Sequence, residues 1–312
     1  MSATPVSLAG IAKHYGAVSA LDGVDLEIAE GEFMALAGHN GAGKTTLFKI
    51  VLGLIRPSAG SAEVFGETPG SQRAVALRAM VGFLPENVTF SGNLTGREML
   101  RYYARLKGAP RAQCDALLEQ VGLEAAVSRR VKTYSKGMRQ RLGLAQMLLG
   151  DPRLLILDEP TSGLDPDSRR QFRALIEERR RDGATILLAS HALVDFEDTA
   201  DRIAFLREGR LAACGTIDEL RQASALPVHI RLRAAPDAQE ALARAVEGCG
   251  EMRRVNGRSV ELVCSHDRHV EVLRRVGKLD AIDGLEVRPP HLEEIYAHYR
   301  HAPDRSQKET SR

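Results

Sequence analysis

Apolar positions along the chain follow two different periods, and each predicts its own kind of element. Residues 24–28 alternate apolar and acidic side chains, the pattern of a half-exposed strand. Glu30-Gly31 then turns the chain into 33–37, a short continuous apolar run typical of a strand buried on both faces. A glycine-rich loop follows at once, and 45–54 has helical spacing. From about 86 to 150 the helical period dominates. Residues 97–107 and 111–121 read as amphipathic helices separated by Gly108-Ala109-Pro110, and a third helix begins near Ser135. Buried-strand runs resume at 154–157 and 185–189, with a helix over 168–181 between them. Residues 203–206 and 211–214 flank Arg207-Glu208-Gly209-Arg210 as a hairpin.

A break of small residues at 222–227 predicts a linker. Beyond it the expected order is a strand (228–232), a helix (237–246), and strands 252–255 and 259–263 joined by the hairpin signal Asn256-Gly257. A helix (269–277), a strand (285–288) and a last helix (292–301) complete it. The expected organisation is a first domain over 1–222, with a helical insertion at about 87–150. A small α+β domain over 227–301 and a polar, disordered tail over 302–312 follow.

Composition narrows the picture by exclusion. Of 312 residues, 43 are Lys or Arg and 41 are Asp or Glu, so the net charge is only +2. No global basic field points to nucleic acid. The densest charge run, Glu177-Glu178-Arg179-Arg180-Arg181-Asp182, mixes signs as a solvated helix face does. Four cysteines without a C-x-x-C pair predict reduced thiols and a reducing compartment. No run approaches the roughly 18–20 apolar residues of a spanning helix, and no signal peptide is evident. The expected chain is soluble, and a membrane role would need a spanning partner.

Two motifs carry chemistry. Gly38-His39-Asn40-Gly41-Ala42-Gly43-Lys44-Thr45, continued by Thr46, fits G-x-x-x-x-G-K-[ST] in full. Its glycines let backbone N–H groups converge on phosphate oxygens; Lys44 would reach the β/γ-phosphates and Thr45 would ligate Mg2+. The helix starting there adds its positive N-terminal end. Leu154-Leu155-Ile156-Leu157-Asp158-Glu159 is an apolar strand ending in two carboxylates. Alone, such an ending reads as a solvated turn. Paired with the glycine loop, Asp158 suits Mg2+ and Glu159 suits a general base for an attacking water.

Between them, Tyr134-Ser135-Lys136-Gly137-Met138 resembles the signature of the ABC-transporter ATPases, whose common form is LSGGQ. Lys136 and Met138 depart from that form; Ser135 and Gly137 retain it. A helix capped by Ser135 is an anion site in either reading. The resemblance, strong over residues 6 to about 220, implies a P-loop NTPase cassette of α/β class. Its parts would be a RecA-like core, an antiparallel β subdomain and a helical subdomain, with the α+β domain appended. It implies ATP and Mg2+ as cofactors, Ser135 to Met138 against the γ-phosphate, Tyr15 stacked on adenine and His191 sensing the γ-phosphate. Read alone, Tyr15 is an ordinary strand-end tyrosine and His191 a locally satisfied strand-end histidine. Ser162-Gly163-Leu164-Asp165 resembles the loop joining two nucleotide sites. Glu86 stands where the family usually has glutamine; a carboxylate ligates Mg2+ but, ionised, donates no hydrogen bond.

One chain carries one such set, so the resemblance implies a head-to-tail homodimer, cytoplasmic and peripheral on the inner face of a bacterial inner membrane, coupled to a permease. GHNGAGKTT, GFLPENVTF (82–90) and RVKTYSKGMRQRLGLAQ (130–146) together resemble a narrower subgroup, the ATPases serving nitrous oxide reductase maturation. That subgroup implies an ABC-2-type permease, a periplasmic copper-binding partner and copper (or sulfur) delivery. A general exporter of drugs, lipids or ions through an ABC-2 permease is the alternative. A soluble cassette acting on ribosomes or DNA is disfavoured by the single cassette and the absence of a long coiled coil. Cys264, His266 and His269 have donor types that suit Cu(I) or Zn2+, but three donors at a strand-to-helix turn read more simply as a buried thiol and surface histidines.

Overall fold

The computed structural model describes residues 4–191, 196–234, 239–256, 258–279 and 282–301. The tail expected over 302–312 lies outside these residues, as does Gly257 of the Asn-Gly turn. In chain order the elements begin with β1 (Val6–Tyr15), β2 (Val18–Ile28), β3 (Phe33–Ala37), α1 (Lys44–Val51), β4 (Ala59–Val64), α2 (Ala74–Leu77) and β5 (Val81–Leu84). Three longer helices follow, α3 (Gly96–Lys107), α4 (Gln113–Gln120) and α5 (Lys136–Leu148). Then come β6 (Leu154–Asp158), α6 (Pro166–Arg181), β7 (Thr185–Ser190), β8 (Arg202–Arg207), β9 (Arg210–Gly215) and α7 (Ile217–Ser224). The last part is β10 (Val228–Ala234), α8 (Gln239–Ala245), β11 (Glu251–Asn256), β12 (Ser259–Cys264), α9 (His269–Val276), β13 (Ile282–Arg288) and α10 (Leu292–His301).

The chain divides into two compact units, Met1–Cys214 and Gly215–Arg312. In the first, a six-stranded sheet of order β5-β6-β7-β3-β8-β9 forms the centre, with β5, β6, β7, β3 and β8 running parallel. Successive residues of each central strand serve opposite faces, as the two-residue period requires. Phe33, Leu155, Leu157, Ile186 and Leu188 join α3, α4, α5 and α6 in one core. Met34, Leu36, Leu154, Ile156 and Leu187 join α1 and the antiparallel sheet β2-β1-β4 in the other. Burial on both faces explains why these strands read as unbroken apolar runs. It also aligns their C-terminal ends: Ala37 pairs with Ser190, and Asp158 with Ala189. In open α/β sheets that edge is where ligands bind.

The second unit begins ahead of the expected 222–227 linker. Thr216 and Glu219 form a reciprocal capping box that starts α7, the helix runs through Ser224, and it packs against α10. The sheet order β11-β12-β10-β13, all antiparallel, with α8 and α9 in the two crossovers, is a split βαβ arrangement. Its core gathers Val228, Ile230 and Leu232 with Leu242, Val272 and Val276. Among the described residues no helix is long and apolar enough to cross a membrane.

Candidate functional site

The buried β3 ends at Ala37, and the chain must turn into α1 within six residues. Two contacts force glycine there. A Cβ on Gly38 would fall 2.7 Å from the Leu206 carbonyl oxygen, and one on Gly43 would fall 2.6 Å from that of Ala20, at φ +111°. Gly41 also has positive φ. His39, Asn40 and Gly41 are exposed, whereas Ala42 is buried and anchors the loop, its carbonyl accepting from Gly209 N–H at 3.0 Å. The Lys44 ammonium folds back over the loop, donating to Gly38 O at 2.5 Å and reaching His39 O at 3.5 Å. It is buried.

The ends of β6 and β7 bring the acidic groups alongside. Thr45 donates its hydroxyl to Asp158 Oδ2 at 3.0 Å. Burial pushes the Asp158 carboxyl above the usual carboxylate range; the Thr45 hydrogen bond opposes this, and neighbouring Glu159 and Glu86 add to it. Glu86 is exposed just after β5. Thr46 is half-buried on the first turn of α1. The Asp158 carboxylate and the Thr45 hydroxyl it accepts from are hard oxygens of the kind that suit Mg2+.

Glu159 adopts φ +49°, a left-handed conformation that costs a residue with a Cβ about 1–3 kcal/mol. Its N–H donates to Ala189 O at 2.9 Å and its carbonyl accepts from Ser162 N–H at 3.2 Å, so both neighbours hold the turn. The side chain is thereby aimed across the strand ends. Oε2 sits 2.7 Å from His191 Nδ1 and accepts from His191 N–H at 3.2 Å. Oε1 lies 3.7 Å from the Lys44 ammonium, is buried, and has no hydrogen-bond partner among the described residues. An acceptor left in this state is an invitation to a water or substrate proton. His191 itself is two-thirds exposed.

The other expected positions are distributed around this core. Ser135 caps α5, accepting from Met138 N–H at 3.2 Å, and Lys136 and Gly137 form its first turn. Asp165 caps α6 through Ser168 N–H at 2.8 Å, and those hydrogen bonds hold its carboxyl below the usual range. In this chain its visible work is structural. Tyr15, half-exposed at the end of β1, pairs with Val18, and Lys13 lies 5.3 Å over its ring. Ala20, two residues beyond Val18, is the backbone that abuts Gly43, so the tyrosine belongs to the same end of the molecule. The four cysteines are free thiols. The His266 and His269 rings lie 4.9 Å apart, tilted by 50°, and Cys264 is buried, yet among the described residues no group of three or more His, Cys, Asp or Glu is placed to hold a metal ion. One residue that sequence reasoning passed over is Gln140. It is buried, and its amide donates to Pro160 O at 3.2 Å, immediately after Glu159. Its spacing of four from Lys136 was the available signal.

Comparison with known proteins agrees with this geometry. The ABC transporter family model matches residues 21–162. A daunorubicin resistance ATP-binding protein of Streptomyces coeruleorubidus is 40% identical over 225 residues, 71% of this chain and 71% of that one. A bacitracin transport ATP-binding protein of Bacillus licheniformis is 37% identical over 221 residues, 70% of this chain and 72% of that one. A solved ATP-binding subunit of an ABC transporter superposes with a TM-score of 0.67 at 32% identity, covering 70% of this chain and 93% of that one. The chain belongs to the ABC transporter ATP-binding proteins and is an ATPase cassette of that family.

Proposed function

We propose that this chain powers a membrane permease by hydrolysing ATP with the groups gathered at the ends of β3, β6 and β7. The observation that carries the reading is the Glu159 carboxylate: one oxygen held by His191, the other buried beside Lys44 with no hydrogen-bond donor among the described residues. An attacking water donates its proton to that carboxylate while its oxygen bonds to the γ-phosphorus, and the bond to ADP breaks, leaving ADP and phosphate. Lys44 and the loop from Gly38 to Thr46 cradle the phosphates. His191 pairs with Glu159 through Nδ1, and its Nε2–H donates to a γ-phosphate oxygen. Mg2+ held by Thr45 and Asp158, with Glu86 nearby, would supply neutralisation of phosphate charge. Ser135, Lys136, Gly137 and Met138 serve the nucleotide of a second copy, Tyr15 stacks on adenine, and Asp165 sits between the two sites. Glu159→Gln should lower turnover by roughly 10²–10⁴ while ATP binding persists. Unchanged hydrolysis in that variant would refute the assignment.

The partner is an ABC-2-type permease, which supplies the membrane span. For the cargo, the 82–90 and 130–146 segments support copper (or sulfur) delivery for nitrous oxide reductase, with a periplasmic copper-binding component. The daunorubicin resistance and bacitracin transport roles of the two relatives support export of an antibiotic-like molecule instead. Tagged Glu159→Gln purified from native membranes with ATP distinguishes these by mass spectrometry. A permease accompanied by a periplasmic copper protein supports metal-centre assembly, and a permease alone supports export.

A further inference from the structure

One face of α5 lies on the turn that follows the catalytic carboxylate. Lys136 and Gln140 are four residues apart and so project from the same side of the helix. The Lys136 side chain lies across Gly163, where a Cβ would fall 2.9 Å from Nζ and 3.4 Å from Cδ. One turn on, the buried Gln140 amide donates to Pro160 O at 3.2 Å. Between these two contacts the chain runs through Pro160, Thr161 and Ser162 from the strained Glu159. The turn is tied on its other side by Glu159 N–H to Ala189 O and by Leu164 N–H to Thr161 O.

We infer that Gln140 is a positioning residue for Glu159, tying the helix whose N-terminus is capped by Ser135 to the turn that aims the carboxylate. The inference rests on the proposed role of Glu159 as the base. The physical need is specific. A left-handed φ at a residue with a Cβ persists only where its surroundings over-determine it. Pro160 has no N–H to contribute, so its carbonyl is its only backbone hydrogen-bonding group. Gln140 is the side chain that grips it. Because α5 also carries Ser135 to Gly137, a displacement of that segment by phosphate is transmitted to Glu159 of the same chain through one rigid helix turn. Glutamine suits this position: its amide reaches the carbonyl from a buried helix face, and a cation there would require a counter-charge.

Three variants test this on the full-length protein in a steady-state ATPase assay. Gln140→Leu keeps the volume and removes the donor; kcat should fall about ten- to hundredfold with KM for ATP unchanged, the scale of a misplaced catalytic group. Gln140→Glu presents a carboxylate to Pro160 O at alkaline pH and a donating O–H once protonated, so its kcat relative to wild type should recover as pH falls. Gln140→Leu should show no such recovery. In the Glu159→Gln background, Gln140→Leu should cost nothing further, since it acts through the group already removed. Undiminished kcat in Gln140→Leu overturns the inference, as does a multiplicative loss on top of Glu159→Gln, or a loss in both Gln140 variants that is equal at every pH. Failure of the base assignment shows up separately, as wild-type turnover in Glu159→Gln alone.

Discussion

Asp158 and Glu159 are consecutive, yet the fold gives them opposite electrostatic tasks. Asp158 ends β6 inside the regular sheet, so its side chain is held toward Thr45 and its burial is nearly complete. Burial, then the charges of Glu159 and Glu86, raise its pKa above the ordinary carboxylate range. A carboxyl raised in the folded state adds stability that is fully present below its unfolded pKa and is lost as pH rises through the folded one. The ionised form of Asp158 is therefore held at a cost in the nucleotide-free protein. Asp158→Asn should raise the melting temperature at about pH 7.5 by roughly 2–4 °C, the shift that 1 kcal/mol produces in a unit of this size. The advantage should shrink in acid, where the wild-type carboxyl is itself protonated. Added Mg2+ should stabilise the wild type by mass action and leave Asp158→Asn unmoved. Scanning fluorimetry across pH, with and without Mg2+, reads all three; an Asn variant less stable than wild type at neutral pH contradicts the account.

Among the elements, α3 and the segment leading to α5 are fitted to each other closely. Thr95 and Glu98 form a reciprocal capping box at the start of α3. Gly96 follows because Tyr134 occupies the space a side chain would need: a Cβ there would fall 2.2 Å from the Tyr134 hydroxyl. That hydroxyl is committed to Ala126 O at 2.8 Å, and Tyr134 is buried. Gly96→Ala should therefore destabilise by about 1–3 kcal/mol, the range of overpacking. Tyr134→Phe removes the clashing oxygen, so the double variant should lose less than the sum of the singles, which denaturant titration of the four proteins measures. Additive losses would mean that the tyrosine is not the obstacle. The same comparison shows what sequence can and cannot announce. The strands β3, β6 and β7 were legible because both faces are buried and their interior positions are apolar. β4 was not, since only Ala62 and Val64 of Ala59–Val64 face inward. α7 was masked by its small residues, although Thr216 and Glu219 spell a capping box at the spacing a helix start requires. The glycine loop and the Asp158-Glu159 pair were plain because their chemistry is local. The left-handed turn at Glu159 and the Gln140 tether were hidden, because both depend on contacts between residues distant in sequence.

At the scale of the whole molecule, the arrangement is complete in its parts and incomplete as a site. The buried Lys44 ammonium, Thr45 with Asp158, and Glu159 with His191 converge at the strand ends of one chain. Ser135, by contrast, belongs to α5, whose inner contacts are with Pro160 and Gly163 rather than with the glycine loop. Its capped N-terminus, an anion-binding end, needs a phosphate from elsewhere. In the proposed head-to-tail pair of copies the other chain's nucleotide would provide one, and that proposal makes a distinctive prediction. Lys44→Ala disables the loop of a chain and leaves its Ser135 intact; Ser135→Arg does the reverse. Each variant alone should be nearly inactive, since both sites of its dimer carry one defect. In a mixed dimer one site collects both defects and the other has none. If copies pair at random, half the dimers are mixed and each has one sound site of two, so an equimolar mixture should recover roughly a quarter of wild-type hydrolysis when sites act independently. A site built within one chain would show no recovery at any ratio. Recovery that grows with total protein concentration, measured by phosphate release across the mixing series, would tie the activity to association and place Ser135 opposite the partner's loop.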